Sequence, residues 1–93
     1  MLDTTSIYLS KRVSQLVDMI LKRNGETRPV SPNDELADIG LSSIDMVNLM
    51  LSVEAEFDIT IPQSELTIEN FHSVHQIEAL LERLIEARPG RSN

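Results

Sequence analysis

Apolar residues recur at spacings of three and four in three segments of this 93-residue sequence, and this periodicity limits the possible folds more than any other feature. Such spacing places apolar side chains along one face of an α-helix and does not match the alternation of a half-buried strand. It predicts helices over residues 6–23, 43–57 and 74–87, and Thr67 is a candidate cap for a short helix over 68–71. We therefore predict an all-α fold, a small four-helix bundle with three main helices and one short one.

The first two main helices are separated by a long connection over residues 24–41, which contains two prolines and two glycines. Loops of this length in small domains tend to be either functional or disordered. Leu36, Ile39 and Leu41 are spaced so that they could reach a core. The sequence therefore predicts an ordered crossover between the first and second helices.

The composition is that of one globular domain, with 41% hydrophobic and 25% charged residues. We predict a single domain over residues 1–87, a flexible tail over 88–93, and a monomer. The absence of cysteine excludes a disulfide framework, a thiolate metal site and a cysteine nucleophile. The sequence has no apolar run as long as a membrane span and no basic leader at its start, so we expect a cytoplasmic protein without membrane contact.

The charge is unevenly distributed along the chain. The formal net charge is −7, and residues 29–82 contain eleven acidic residues but no lysine or arginine. Such a surface repels phosphate backbones, which makes nucleic acid an unsuitable partner. A basic patch on a partner protein is the expected complement.

The second helix begins with a capping pattern. Ser42 is the predicted N-cap, and Asp45, three residues later, completes a capping box. This places Ser43 in the first turn of the helix. Gly40 precedes it and leaves the backbone at the entry to the turn open to close approach.

Two apolar stripes run along the second helix, although a small bundle usually buries only one face of a helix. The stripe expected to face the core consists of Met46, Leu49, Met50, Val53 and Phe57. The second stripe, centred roughly 130° away, consists of Ile44, Val47 and Leu51. We predict that the second stripe, together with Ser42, is a docking surface for partner proteins, and that the nearby acids Asp45, Glu54 and Glu56 orient basic partners.

Enzyme interpretations have little support in the sequence. Residues 40–44 begin like a nucleophile elbow, but Ile44 stands where a second glycine is required. A small hydrolase using Ser43 is therefore a minor alternative. His72 and His75 have an i, i+3 spacing that could bind a metal, but the pattern supplies no third ligand. We predict neither catalysis nor a metal site.

Residues 39–47 resemble the attachment motif of acyl carrier proteins and related peptidyl or aminoacyl carrier domains. The resemblance continues through the acidic end of the second helix, the Ile-Pro step at 61–62 and the entry into the last helix at 71–74. It implies that Ser43 receives 4′-phosphopantetheine from coenzyme A through a phosphopantetheinyl transferase. It also implies a ligase that loads an acyl or aminoacyl group as a thioester, and a downstream transferase or synthase that takes this cargo.

Several residues depart from the fatty-acid type of carrier. Ser42 stands where those proteins commonly have Asp, and Asn48 and Ala55 stand where they often have acids. The Gly-Gly-His or Gly-Gly-Asp form of the peptide synthetases is also missing. These differences favour a specialised free-standing carrier over housekeeping fatty-acid synthesis. The alternative is an acidic helical adaptor that is never modified and binds a basic partner through the second helix.

Overall fold

The computed structural model describes residues 4–26 and 29–86, with side chains from residue 7 onward. Within these ranges every regular element is helical: α1 (Thr4–Arg23), α2 (Ser43–Phe57) and α3 (Val74–Glu86). Two single turns of 3₁₀ helix, Gln63–Glu65 and Glu69–Phe71, lie between α2 and α3.

The predicted all-α architecture is confirmed, with one refinement at the short helix. The segment predicted as a helix over 68–71 is a 3₁₀ turn of three residues, and a second such turn precedes it. Thr67 Oγ1 accepts the backbone N–H of Asn70 at 3.2 Å, which stabilises the start of the second turn. The predicted end of the last helix at residue 87 and the tail over 88–93 lie outside the described residues.

The C-terminal end of α1 closes with a Schellman motif. The N–H of Gly25 donates to the carbonyl of Lys22 at 3.0 Å, and that of Glu26 donates to the carbonyl of Leu21 at 2.8 Å. Gly25 has the positive φ of 84° that this motif requires. The motif ends α1 sharply and turns the chain into the crossover.

The core is aliphatic apart from Phe71, and all three helices and the connections between them contribute to it. Its buried members are Leu9, Val13, Val17, Ile20, Leu21, Leu36, Ile39, Leu41, Leu49, Val53, Ile61, Phe71, Val74, Ile77, Leu80 and Leu81. Only Leu49 and Val53 of these come from α2, whereas Met46, Met50 and Phe57 pack against the core while partly exposed. The predicted inner stripe of α2 is therefore the stripe that faces the core.

The described part of the crossover, residues 24–26 and 29–41, is ordered, as predicted, and hydrogen bonds join it to the start of α3. The N–H of Leu36 donates to the carbonyl of His72 at 2.9 Å, and the N–H of His75 donates to the carbonyl of Pro32 at 2.9 Å. Leu36, Ile39 and Leu41 are buried. This connection therefore acts as a structural element that leads the chain into α2 at a defined position.

The C-terminal half of α2 is held against α1 by a charged pair and an aromatic pair. The Nε and Nη2 atoms of Arg12 lie 2.9 and 2.8 Å from the two carboxylate oxygens of Glu56. The rings of Tyr8 and Phe57 meet edge to face, with centroids 6.2 Å apart. The Arg12 guanidinium lowers the pKa of Glu56, so that the carboxylate is ionised in this pair.

Two leucines of α2 allow the core-facing and outward-facing stripes to be compared directly. Leu49→Ala should lower the free energy of unfolding by about 2–5 kcal/mol because it leaves a cavity in the core. Leu51→Ala should change it by less than about 0.5 kcal/mol because Leu51 lies outside the core. Urea unfolding followed by circular dichroism measures both, and similar losses for the two variants would contradict this assignment.

Candidate functional site

The start of α2 is organised by a reciprocal capping box between Ser42 and Asp45. Ser42 is in an extended conformation, with φ −79° and ψ 175°, and its Oγ accepts the N–H of Asp45 at 3.1 Å. In return, Asp45 Oδ2 accepts the N–H of Ser42 at 2.9 Å. The predicted capping box is therefore present, and it uses Ser42 and leaves Ser43 outside it.

Ser43 is the first residue of α2, and its side chain is exposed to solvent. Its hydroxyl lies at the positive end of a 15-residue helix, where the first N–H groups have no partner within the helix. A phosphodiester formed on this oxygen is stabilised by about 0.3–1 kcal/mol through the helix dipole. The site can therefore present an esterified serine without disturbing the cap.

Asn24 is a component of this site that sequence reasoning missed. Its Nδ2 donates to Asp45 Oδ2 at 2.8 Å and approaches the carbonyl oxygen of Gly40 at 3.4 Å. The side chain of Asn24, just after α1, therefore contacts both Asp45 in the first turn of α2 and Gly40 in the crossover before it. In the sequence, Asn24 before Gly25 signals only the end of a helix, because no local pattern connects residues 21 positions apart.

Gly40 brings the crossover close to the end of α1. Its φ of +120° is rarely adopted by residues with a side chain. A Cβ atom there would lie 3.3 Å from Cγ of Glu26 and 3.4 Å from Cδ2 of Leu21. The sequence predicts that Gly40 allows close approach to the backbone. In the structure, the groups that approach it are the side chains of Glu26 and Leu21.

Asp45 is partly exposed, and its carboxylate is bonded to groups of the protein itself. The Ser42 N–H makes the largest contribution to lowering the pKa of Asp45, and the amide of Asn24 adds to it. The carboxylate is therefore ionised across the neutral range and complements the positive end of α2. Its role in the fold is to hold the cap beside Ser43.

The second apolar stripe of α2 lies on the surface. Ile44 is 74% exposed, Val47 53% and Leu51 58%. Large apolar side chains with this exposure do not contribute to the core, and they lie along the helix from Ser43 towards its middle. They form an apolar surface that begins next to the exposed hydroxyl.

The other two acids of α2 also have partners within the chain. Glu54 is half-buried, and its Oε2 accepts the backbone N–H of Ile61 at 2.8 Å. Glu56 is engaged by Arg12. Sequence reasoning placed Asp45 and Glu54 at a partner interface, and the structure gives each of them hydrogen bonds inside the fold.

The two histidines lie where the crossover meets α3. His72 Nε2 is 3.3 Å from Glu35 Oε2, and the backbones of His72 and His75 bind the crossover. Within residues 4–26 and 29–86, no group of three or more His, Asp or Glu side chains could hold a metal ion. No helix of the described part of the chain is long and apolar enough to cross a membrane.

Comparisons with known proteins relate this arrangement to characterised chains. A family profile described as the phosphopantetheine attachment site matches residues 11–81. Aminoacyl carrier protein 1 of Bradyrhizobium diazoefficiens is 56% identical over 70 residues, which are 75% of this chain and 78% of the relative. Aminoacyl carrier protein 2 of the same organism is 48% identical over 77 residues, 83% of this chain and 86% of the relative.

A solved structure contains a chain that is similar to this one in both sequence and fold. It is the crystal structure of the Bradyrhizobium japonicum glycine:[carrier protein] ligase complexed with glycylated carrier protein. One of its chains matches this one with a TM-score of 0.67 and 51% sequence identity. The match covers 84% of this chain and 99% of that chain.

Replacing Asn24 with alanine tests whether α1 supports the cap. Asn24→Ala should raise the pKa of Asp45 towards its ordinary value, because one of the groups that favour the charged form is removed. The free energy of unfolding should fall by no more than about 1 kcal/mol, because the bond is exposed. NMR titration of the Asp45 carboxyl carbon measures the pKa. Asn48→Ala, at an exposed position of α2, is the control and should leave the pKa of Asp45 unchanged. If Asn24→Ala also left this pKa unchanged, the contact between Asn24 and Asp45 would be contradicted.

The stabilising effect of Asp45 should depend on pH. A carboxyl group whose pKa is lowered by folding stabilises the protein at pH values above its ordinary pKa, which is 3.8 for Asp45. This stabilisation is lost as the pH falls below that value and through the lowered pKa of the folded state. Asp45→Ala should therefore lower the free energy of unfolding by about 1 kcal/mol at neutral pH and by less below pH 3.8. Urea unfolding across this range, with Asp38→Ala as a control for loss of an exposed acid, measures the effect. An equal loss at both ends of the range would show that the charge of Asp45 is irrelevant.

Proposed function

Because this chain belongs to the acyl carrier protein family, whose members bear phosphopantetheine, we propose that Ser43 is its attachment residue. The protein is a carrier that presents an acyl or aminoacyl group to partner enzymes. The observation that carries the assignment is the exposed hydroxyl of Ser43 at the N-terminus of α2, next to a cap built from Ser42 and Asp45. A phosphopantetheinyl transferase supplies the group from coenzyme A.

The residues at this site fit a phosphodiester-linked group. Ser43 offers an accessible oxygen, and the dipole of α2 favours the negative charge. The neighbouring cap satisfies its own hydrogen bonds and does not need the Ser43 hydroxyl. When bound, phosphopantetheine supplies the thiol that carries cargo as a thioester, which agrees with a chain that contains no cysteine.

We propose that the cargo is an amino acid activated by a ligase and later taken by a transferase or synthase. Two aminoacyl carrier proteins are close in sequence, and a similar chain occurs in a complex of a glycine:[carrier protein] ligase with glycylated carrier protein. Burial of the ammonium group of an aminoacyl cargo would be costly, so the cargo remains outside the bundle. The fully packed Leu49 and Val53 on the inner side of α2 are consistent with this arrangement.

Partner enzymes are proposed to dock on α2 beside the attachment residue. The exposed Ile44, Val47 and Leu51 supply apolar contact area. Ser42, Asp45 and Glu54 support this surface from within, since the first two form the cap and the third holds Ile61. In this arrangement, the acids of α2 act on partner binding chiefly by holding the helix in place.

The proposal also covers the domain extent, the oligomeric state and the location of the carrier. We expect one carrier domain over residues 1–87, acting as a monomer in the cytoplasm, where coenzyme A is available. The chain itself is proposed to catalyse no step, because its contribution is to anchor the prosthetic arm and to present a recognition surface.

Intact-mass spectrometry after incubation with coenzyme A and a broad-specificity phosphopantetheinyl transferase tests the attachment residue. The wild-type protein should gain one phosphopantetheine group, and Ser43→Ala should gain none. Ser42→Ala is the matched control, because it removes a neighbouring hydroxyl and weakens the cap by about 1 kcal/mol but keeps Ser43. It should still be modified.

The other outcomes separate the alternatives. Modification of Ser43→Ala but not of Ser42→Ala would move the attachment to Ser42. A folded wild-type protein that gains nothing, beside an active control carrier, would favour the unmodified adaptor. Release of product from an activated ester by the wild type but not by Ser43→Ala would favour the hydrolase.

A further inference from the structure

The exposed residues on the outward side of α2 are all uncharged. Its exposed members, which we call the α2 face, are Ser43, Ile44, Val47, Asn48, Leu51 and Ala55. At 100° per residue they lie within an arc of about 140° that includes the attachment residue. Glu54 falls within the same arc, but it is half-buried and its carboxylate accepts the N–H of Ile61 at 2.8 Å. The exposed residues of the α2 face are therefore apolar at its centre and uncharged.

The acids of α2 lie outside this arc or are held by the fold. Asp45 binds the N–H of Ser42 and the side chain of Asn24. Glu54 is half-buried and binds the N–H of Ile61, and Glu56 binds Arg12. The negative charges of this helix are thus used to maintain the protein's own structure.

Two departures from the fatty-acid type of carrier fall on the α2 face. Asn48 and Ala55 stand where such carriers often have acids, and both are exposed. Ser42, at a third such position, is exposed at the start of the helix, and its hydroxyl is used in the cap. The exposed residues of the α2 face therefore carry none of the acidic side chains that give the chain its net charge of −7.

We propose that the α2 face selects a loading ligase whose docking patch is apolar and uncharged rather than basic. This inference rests on the proposed carrier function. A lysine or arginine of the partner buried against these uncharged side chains would lose its hydration without gaining an exposed counter-charge, because the one acid in the arc, Glu54, is half-buried and bonded to Ile61. An apolar patch would instead bury Val47 and Leu51 and leave no charge unpaired. The face therefore excludes enzymes that recognise acidic carriers and admits those with a matching apolar patch.

Kinetics with the purified Bradyrhizobium japonicum glycine:[carrier protein] ligase test this inference on the phosphopantetheinylated protein. The measured quantity is the KM of the ligase for the carrier during glycine loading. Val47→Ala and Leu51→Ala should each raise this KM about tenfold, equivalent to about 1.4 kcal/mol of binding. An increase in NaCl from about 50 mM to about 300 mM should change the wild-type KM by less than about twofold.

Added charge distinguishes an apolar patch from a basic one. Asn48→Glu and Ala55→Glu should each raise the KM several-fold, because a carboxylate would be buried against an apolar surface. Gln76→Glu adds the same charge at an exposed position of α3 and should leave the KM unchanged. Circular dichroism of every variant confirms that the fold is retained.

The opposite results would overturn the inference. A KM that falls in Asn48→Glu or Ala55→Glu, or that rises steeply with salt in the wild type, would indicate a basic patch on the ligase. Equal effects of Asn48→Glu and Gln76→Glu would show that α2 is not the docking face. If the phosphopantetheinylated protein is loaded neither with glycine nor with another amino acid by any ligase tested, the proposed aminoacyl function fails and the inference fails with it.

Discussion

The arrangement of this protein depends on the carboxylate of Asp45, which joins two helices at the place where the serine is presented. It accepts the N–H of Ser42 and the side-chain amide of Asn24, at 2.9 and 2.8 Å. The first bond starts α2, and the second ties that start to the end of α1. Because Ser43 is the next residue after the cap, its position relative to the bundle is set by these two bonds.

The same helix has to be held firmly and yet leave one side open. α2 contributes only two fully buried residues, Met46, Met50 and Phe57 pack partly exposed against the core, and further contacts hold the ends of the helix. Arg12 and Tyr8 hold the C-terminal end through Glu56 and Phe57, and Glu54 holds the following connection. These anchors allow the exposed, uncharged residues of the outward side to remain open to a partner.

Much of the fold follows from local rules. The spacing of apolar residues predicts three helices, the pattern from Ser42 to Asp45 predicts the cap, and the second stripe of α2 is exposed as expected. The short helix before α3 was predicted less well, since a 3₁₀ turn of three residues has no periodicity to detect. The assignment of Ser43 came from a resemblance in the motif, and the structure adds the exposure and cap geometry that make it suitable.

The sequence by itself determined the helices, the inner and outer faces of α2, and the Ser42 cap that precedes Ser43. These features depend on residues within about one or two helical turns of each other. Only the tertiary structure decided which acids are available to a partner. The capping pattern identifies Asp45, but nothing local distinguishes Glu54 from Glu56, and each of the three acids is bound by a group that the folding of the chain brings to it. Asn24 and Arg12 are 21 and 44 residues from their partners, and contacts over such distances depend on helix packing, which no local pattern encodes.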